Sequence, residues 1–209
     1  MRRSFAQQAG LFAGDNSPFA RRAPSPLAWL EPLDPAMIVL DVACGAGHVA
    51  ELVAPHVRQV VGIDLTRPLL LLAADRIRDA GLANVLLQEG NAGQLPFLDA
   101  SFDLVACRGS MHHFSRPDQQ LTEMARVCRP GGRVVVSDMV APSEDVRAAF
   151  DELHRLIDPS HAGVLLGTRL AELLHRIVGP LDRVETSLPF TLPVDQMLTD
   201  VANRASVMS

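Results

Sequence analysis

An apolar run that breaks into a glycine loop constrains this chain more than any other feature. Met37-Ile38-Val39-Leu40-Asp41-Val42 leads into Ala43-Cys44-Gly45-Ala46-Gly47-His48, and Val49 to Pro55 then reads as helix. Strand, tight turn and helix in that order open a parallel α/β sheet. Gly45 and Gly47 let the backbone turn and approach a ligand with no Cβ in the way. The helix start beyond them offers free N–H groups and a positive dipole end to an anionic group. The bland alternative is a plain strand-to-helix turn.

Four more apolar runs follow: Gln59 to Asp64, Val85 to Gln88, Phe102 to Cys107 and Arg133 to Asp138. Between them, Pro68 to Ala80 has helical character and stops at Gly81, a good C-terminal cap. Pro117 starts another helix with Leu121, Met124 and Cys128 on one face, ended by Arg129-Pro130-Gly131-Gly132. The runs are uniformly apolar and do not alternate, which marks strands buried on both faces. The fold class expected is therefore α/β, a doubly wound, mostly parallel sheet. Beyond it, Val146, Ala149, Phe150, Leu153 and Ile157 form one helix face. Leu170, Leu173, Leu174 and Ile177 form a second, closed by Gly179-Pro180. Arg183 to Pro189 reads as a sixth strand, and Val194 to Ser209 as helix or tail.

The 209 residues suit a single domain in three parts. Residues 1–35 are broken by prolines and carry Phe5, Phe12, Phe19 and Trp29, as a lid would; 36–140 are the core; 141–209 are the helical remainder. All 19 basic residues are Arg, and Tyr is absent too. Without Lys there is no Schiff base and no phosphate-loop lysine. A net charge of −5 with no basic block argues against nucleic acid as a partner. Cys44, Cys107 and Cys128 have no metal-ligand spacing, so no metal site is expected, and three sparse thiols fit a reducing, cytoplasmic setting. No apolar stretch is long enough for a membrane span.

Taken alone, Gly45-x-Gly47-x-x-Ala50 with Asp64 at the next strand end also satisfies the dinucleotide fingerprint. Three features separate the readings. Asp41, just before the loop, would crowd a pyrophosphate but suits a cationic amino group. Asn91-Ala92 after the third run places an amide and a small residue where an adenine edge would lie. The Tyr/Lys pair of short-chain dehydrogenases is missing.

Val39 to Gly47 resembles motif I of class I S-adenosylmethionine (SAM)-dependent methyltransferases. Val61-Gly62-Ile63-Asp64 resembles the next motif. Asn91 to Phe97 with Ser101 to Val105, then His112-His113-Phe114, then Ala125 to Gly132, complete the set in order. The spacing is similar to the ubiquinone/menaquinone C-methyltransferase-like (methyltransferase type 11) subgroup, with its Rossmann-like fold. The resemblance implies SAM as cofactor. It puts Asp41 and the Cys44-Gly45-Ala46-Gly47 backbone on the methionine part, Asp64 on the ribose diol and Leu65 against adenine. Asn91 and Ala92 line the adenine edge, and backbone near Arg108 meets the amino group. Asp is usual where Asn91 stands; an amide carbonyl still accepts from the exocyclic amine.

The resemblance also implies transfer of the methyl group to a small-molecule acceptor. His112 and His113, just after the fourth run, are the candidate catalytic pair, as base or substrate contact. The alternative is that one bonds backbone while the other caps the next helix. Asp158-Pro159-Ser160-His161 resembles a segment of some subgroup members, which makes His161 a candidate substrate contact, but it reads more plainly as a solvated loop residue. Cys44 reads as a packed residue and Asp103 as a strand-end anchor. Asp138 ends the fifth run beside the substrate region, with no role required of it. The family's last strand has no counterpart after Pro189, which leaves a sheet edge open to a second copy, a homodimer. Two rival functions stand beside the methyltransferase: a SAM-binding homologue that does not catalyse or needs a partner, and an NAD-dependent oxidoreductase.

Overall fold

A computed structural model describes residues 27–182. Five parallel strands form the sheet: β1 (Ile38–Val42), β2 (Gln59–Asp64), β3 (Val85–Glu89), β4 (Phe102–Arg108) and β5 (Cys128–Ser137), in the order β3-β2-β1-β4-β5. The order reverses at β1, and the crevice at such a switch point is where open α/β sheets bind ligands. Helices α1 (His48–Val53) and α2 (Arg67–Asp79) cover one face, burying Val49, Ala50, Val53 and Ile77 against Val39, Val60 and Leu104. On the other face α3 (Pro117–Val127) buries Leu121, Met124 and Val127 against Leu40, Val105 and Cys107. The sheet is thus doubly wound, as the apolar runs predict.

After β5 the chain makes β6 (Val140–Ala141), α4 (Glu144–Ile157), β7 (Leu165–Leu166) and α5 (Gly167–Ile177). β6 and β7 pair in a small parallel sheet of their own. Leu170 and Leu173 of α5 join the α3 side of the core. The expected sixth strand, most of the lid, the C-terminal tail and the missing last strand fall outside the described residues, and the homodimer argument with them.

Three local expectations need correction. Cys128 is not on the α3 face; the helix ends at Val127, and Cys128 turns extended (φ −75°, ψ 132°) to begin β5. The turn Arg129 to Gly132 is an excursion within β5, whose pairing steps from Phe102↔Cys128 to Leu104↔Arg133. A Cβ on Gly132 would come within 2.8 Å of the Asp103 carbonyl, so only glycine fits there. The third correction concerns β3, which is not buried on both faces. It is the sheet edge, and Leu86 is 57% exposed.

Candidate functional site

β1, β2, β4 and β5 are parallel neighbours, so their carboxyl ends share one edge of the sheet. Asp41 lies within β1, flanked by Gly62 of β2 and Ala106 of β4. It is 1% exposed, and its Oδ2 has no hydrogen-bond partner. Burial, and then the charge of Asp64, push its pKa up to about 7; the Ala50 amide and Arg108 pull the other way. A buried acceptor without a donor costs about 1–3 kcal/mol, so this atom calls for a ligand donor.

The loop 43–47 is held by bonds the sequence does not announce. Asp64 Oδ2 accepts the Gly45 N–H (2.9 Å), and its Oδ1 accepts the Thr66 N–H (2.8 Å). The residue expected on a ribose therefore also fixes the glycine loop. An ionised carboxylate offers about four acceptor positions, and the Thr66 hydroxyl and the Leu65 N–H also bond to Asp64, so a ribose hydroxyl would have to replace one of these donors. Cys44 donates its N–H to Ile63, and its Sγ fills the space a Cβ on Gly62 would need, 3.0 Å away. Its side chain is core, as expected, and burial drives the thiol well up. Ala46 is buried, with its carbonyl taken by Arg76 Nε (3.1 Å).

The two glycines differ in kind. A Cβ on Gly45 (φ +53°) would meet nothing within 4 Å, so the loop opens there onto free space. A Cβ on Gly47 (φ +80°) would lie 2.9 Å from Ala73 Cβ, because α1 and α2 cross at this point. Gly45→Ala is expected to cost about 1 kcal/mol of backbone strain. Gly47→Ala adds overpacking of about 1–3 kcal/mol to a similar strain. Urea denaturation of both variants checks the ranking, and equal losses would refute it.

Leu65 is half-buried beyond β2. Asn91 is exposed, and its Oδ1 already accepts the Gly93 N–H (2.9 Å). The amide carbonyl expected to read an adenine amine is thus partly committed to its own turn. Ala92 packs against the α3 side of the core. Arg108, at the end of β4, is half-buried and acts electrostatically on Asp41. Ser110 Oγ reaches the Ala43 carbonyl (3.4 Å) and so joins the glycine loop to the turn that carries the histidines.

His112 and His113 sit on a 3-10 turn, Met111–His113, both buried, with ring centroids 4.0 Å apart. Their surroundings differ. His112 Nδ1 lies 2.6 Å from Asp138 Oδ1, and Asp138 Oδ2 accepts the Met111 N–H at 2.5 Å. A carboxylate accepts only, so the His112 proton is on Nδ1 and Nε2 is left to take a proton. His113 Nδ1 faces the Ser160 carbonyl (3.3 Å) and hydroxyl (3.2 Å). Burial, followed by the neighbouring His112, pushes His113 down to about 4, although Asp158 opposes this. One histidine does bond backbone, as the plainer reading has it, but no side chain caps α3.

Two residues matter more in the folded chain than the sequence suggests. The sequence requires no role of Asp138, yet Asp138 holds His112. The signal is present in the parallel register, since Arg108↔Ser137 makes residues just past β4 and β5 neighbours. His161 is no solvated loop residue. It is 5% exposed, with Nε2 bonded to Asp151 Oδ1 (2.7 Å). Asp103 matches its expected structural role, accepting the Ile38 N–H (2.6 Å) and pairing with Arg129 at the opposite end of the sheet. Among the described residues no cluster is arranged to hold a metal, and no helix is long and apolar enough to cross a membrane.

Comparison with known proteins bears on the same residues. Residues 40–136 match the family model described as a methyltransferase domain. The chain is 41% identical over 124 residues to an uncharacterized methyltransferase, YcgJ, of Bacillus subtilis, covering 59% of this chain and 49% of that one. It is 36% identical over 112 residues to the ubiquinone/menaquinone biosynthesis C-methyltransferase UbiE of Legionella pneumophila (52% and 45% covered). The crystal structure of a putative methyltransferase from Bacillus halodurans superposes with a TM-score of 0.69 at 34% identity, over 72% of this chain and 66% of that one. The chain spans about half the length of the curated relatives it matches.

Proposed function

We propose, from the match of residues 40–136 to a methyltransferase domain, that this chain transfers a methyl group from SAM to a small-molecule acceptor by in-line displacement. The observation that carries the reading is the unpartnered Oδ2 of Asp41, buried beside a glycine loop that opens onto free space at Gly45. A cationic amino group is the donor that this atom lacks. Asp41 and the Gly45–Gly47 backbone would hold the methionine part, Asp64 the ribose, and Leu65, Asn91 and Ala92 the adenine. SAM supplies the electrophile, a methyl group on a sulfonium.

The chain's own work is then to bind, align and deprotonate. His112, with Nδ1–H fixed on Asp138, presents Nε2 as the base that takes the acceptor's proton. His113, with its pKa near 4, stays neutral at pH 7 and is a weak base, so it serves as packing and support. This division favours an acceptor whose nucleophilic atom carries a removable proton, as a hydroxyl or an acidic carbon does. We read the chain as one such domain. Its three free thiols support a reducing, cytoplasmic setting.

Calorimetric titration with SAM, S-adenosylhomocysteine and NAD tests the reading, beside an Asp64→Ala control. Saturable binding of the two sulfur ligands is expected, lost in the control, with none for NAD. Binding of NAD alone would overturn it.

A further inference from the structure

Residues 158–164, between α4 and β7, fold onto the histidine turn. Asp158 shapes the segment: its Oδ1 accepts the Ser160 N–H (2.9 Å) and hydroxyl (2.5 Å), and its carbonyl accepts the His161 N–H (3.0 Å). Two successive amides, Ala162 (2.9 Å) and Gly163 (3.1 Å), then donate to the carbonyl of His112. The next amide, Val164, donates to Asp151 Oδ1 on α4 (2.9 Å). That same oxygen receives the His161 Nε2–H.

One buried carboxylate therefore grips the segment by its backbone and by its ring. Burial pushes the Asp151 carboxyl up, but the Val164 and His161 hydrogen bonds and nearby Arg155 outweigh it and hold the group below its ordinary range. Arg147 (3.6 Å) and Arg155 (4.0 Å) flank its Oδ2. Because the carboxylate only accepts, His161 carries a proton on Nε2, while Nδ1 is buried and without a partner. The His161 ring lies 5.7 Å from that of His112, centroid to centroid. Two links thus run from Asp151 to His112: a pair of amides on the His112 carbonyl, and a neighbouring ring held through its Nε2–H.

We propose, resting on the reading of His112 as the base, that Asp151 is a positioning residue for His112. Through residues 158–164 and His161 it fixes the histidine from behind, while Asp138 fixes it through Nδ1. Neither carboxylate need touch the acceptor.

The test uses the unliganded protein and needs no acceptor. Amide exchange at Ala162 and Gly163 is followed together with the ¹⁵N-imidazole titration of His112 in Asp151→Ala and Asp151→Asn. In the Ala variant the two amides are expected to exchange about tenfold faster or more. His112 should keep its Nδ1–H, which Asp138 holds, while its titration midpoint is displaced by about 0.5 pH or more. Asn keeps an Oδ1 acceptor for both Val164 and His161, so it should restore both readouts. A wild-type titration for His112 in Asp151→Ala would overturn the proposal, whatever happens to the amides or the melting temperature, because Asp151 would then be a structural anchor only. Should the Ala variant fail to fold, His161→Phe removes the ring link alone; the His112 titration must move there too, and an unmoved one overturns the proposal. An Nε2–H tautomer for His112 in the wild type would remove the base reading itself, and the proposal with it, so the two failures are told apart.

Discussion

Replacing Asp41 by Asn is expected to abolish SAM binding while raising the melting temperature of the unliganded protein at pH 8. Both effects come from one buried atom. In the folded chain Asp41 holds its proton to about pH 7, chiefly because it is buried, whereas the unfolded chain releases it near 3.8. Between those values unfolding releases a proton, so unliganded stability falls as pH rises from about 4 to 7, and stays at its lower level above 7. A tenfold change in proton affinity is worth about 1.4 kcal/mol, so the charge costs the empty site a few kcal/mol at pH 8. Asn carries no charge at any pH. Its advantage should be several degrees at pH 8 and should vanish toward pH 4. Binding runs the other way. In the proposed site the ionised carboxylate partners the ligand's ammonium, so wild-type affinity should rise about tenfold for each pH step of one up to pH 7 and then level. Thermal melts and calorimetry at pH 5 and 8 check both signs. An Asn variant that binds SAM within about threefold of the wild type at pH 8 would refute the assignment.

The legible parts of this fold are those in which local chemistry and tertiary position agree. Val39 to Val42 and Leu104 to Cys107 are apolar, Asp41 apart, because helices cover both faces of a central parallel strand. Gly45 (φ +53°) and Gly47 (φ +80°) announce the loop because glycine takes such left-handed angles without the steric cost of a Cβ. What escapes a reading of the sequence is set at a distance. The tautomer of His112 depends on Asp138, 26 residues later, and the burial of His161 on a carboxylate of α4 and a turn 49 residues before it. An imidazole in a Pro-Ser-His turn has the same sequence appearance whether it faces water or a carboxylate. Leu86 misleads in the opposite direction: the apolar pattern of β3 does not reveal that the strand is an edge. Asp64 is legible as a site residue, but its grip on the Gly45 amide is a strand-end-to-loop bond across 19 residues that only the folded chain displays.

The second large effect should appear at Asp138. Its side chain is 2% exposed and receives three donors: His112 Nδ1–H (2.6 Å), the Met111 N–H (2.5 Å) and the Met139 N–H (2.7 Å). Alanine leaves all three without an acceptor, and a buried donor so stranded costs about 1–3 kcal/mol. Water entering the space offsets part of this, so the expected loss is about 3–5 kcal/mol, the range for breaking a buried charged contact. Asparagine should fall between. Its single carbonyl serves His112 and Met139, while its NH₂ meets the Met111 N–H donor to donor. Urea denaturation of the two variants gives the order, and a loss below about 1 kcal/mol for Asp138→Ala would refute the shared-acceptor geometry. The functional consequence is separate from the stability loss. A base needs its free nitrogen toward the acceptor, and Asp138 secures this by holding the proton on Nδ1. Without it the imidazole is free to carry its proton on Nε2, where it blocks transfer. Turnover on any acceptor found should therefore drop about 10²–10⁴-fold with SAM affinity unchanged. A drop in SAM affinity of the same size would place Asp138 in the cofactor site and take the base away from His112.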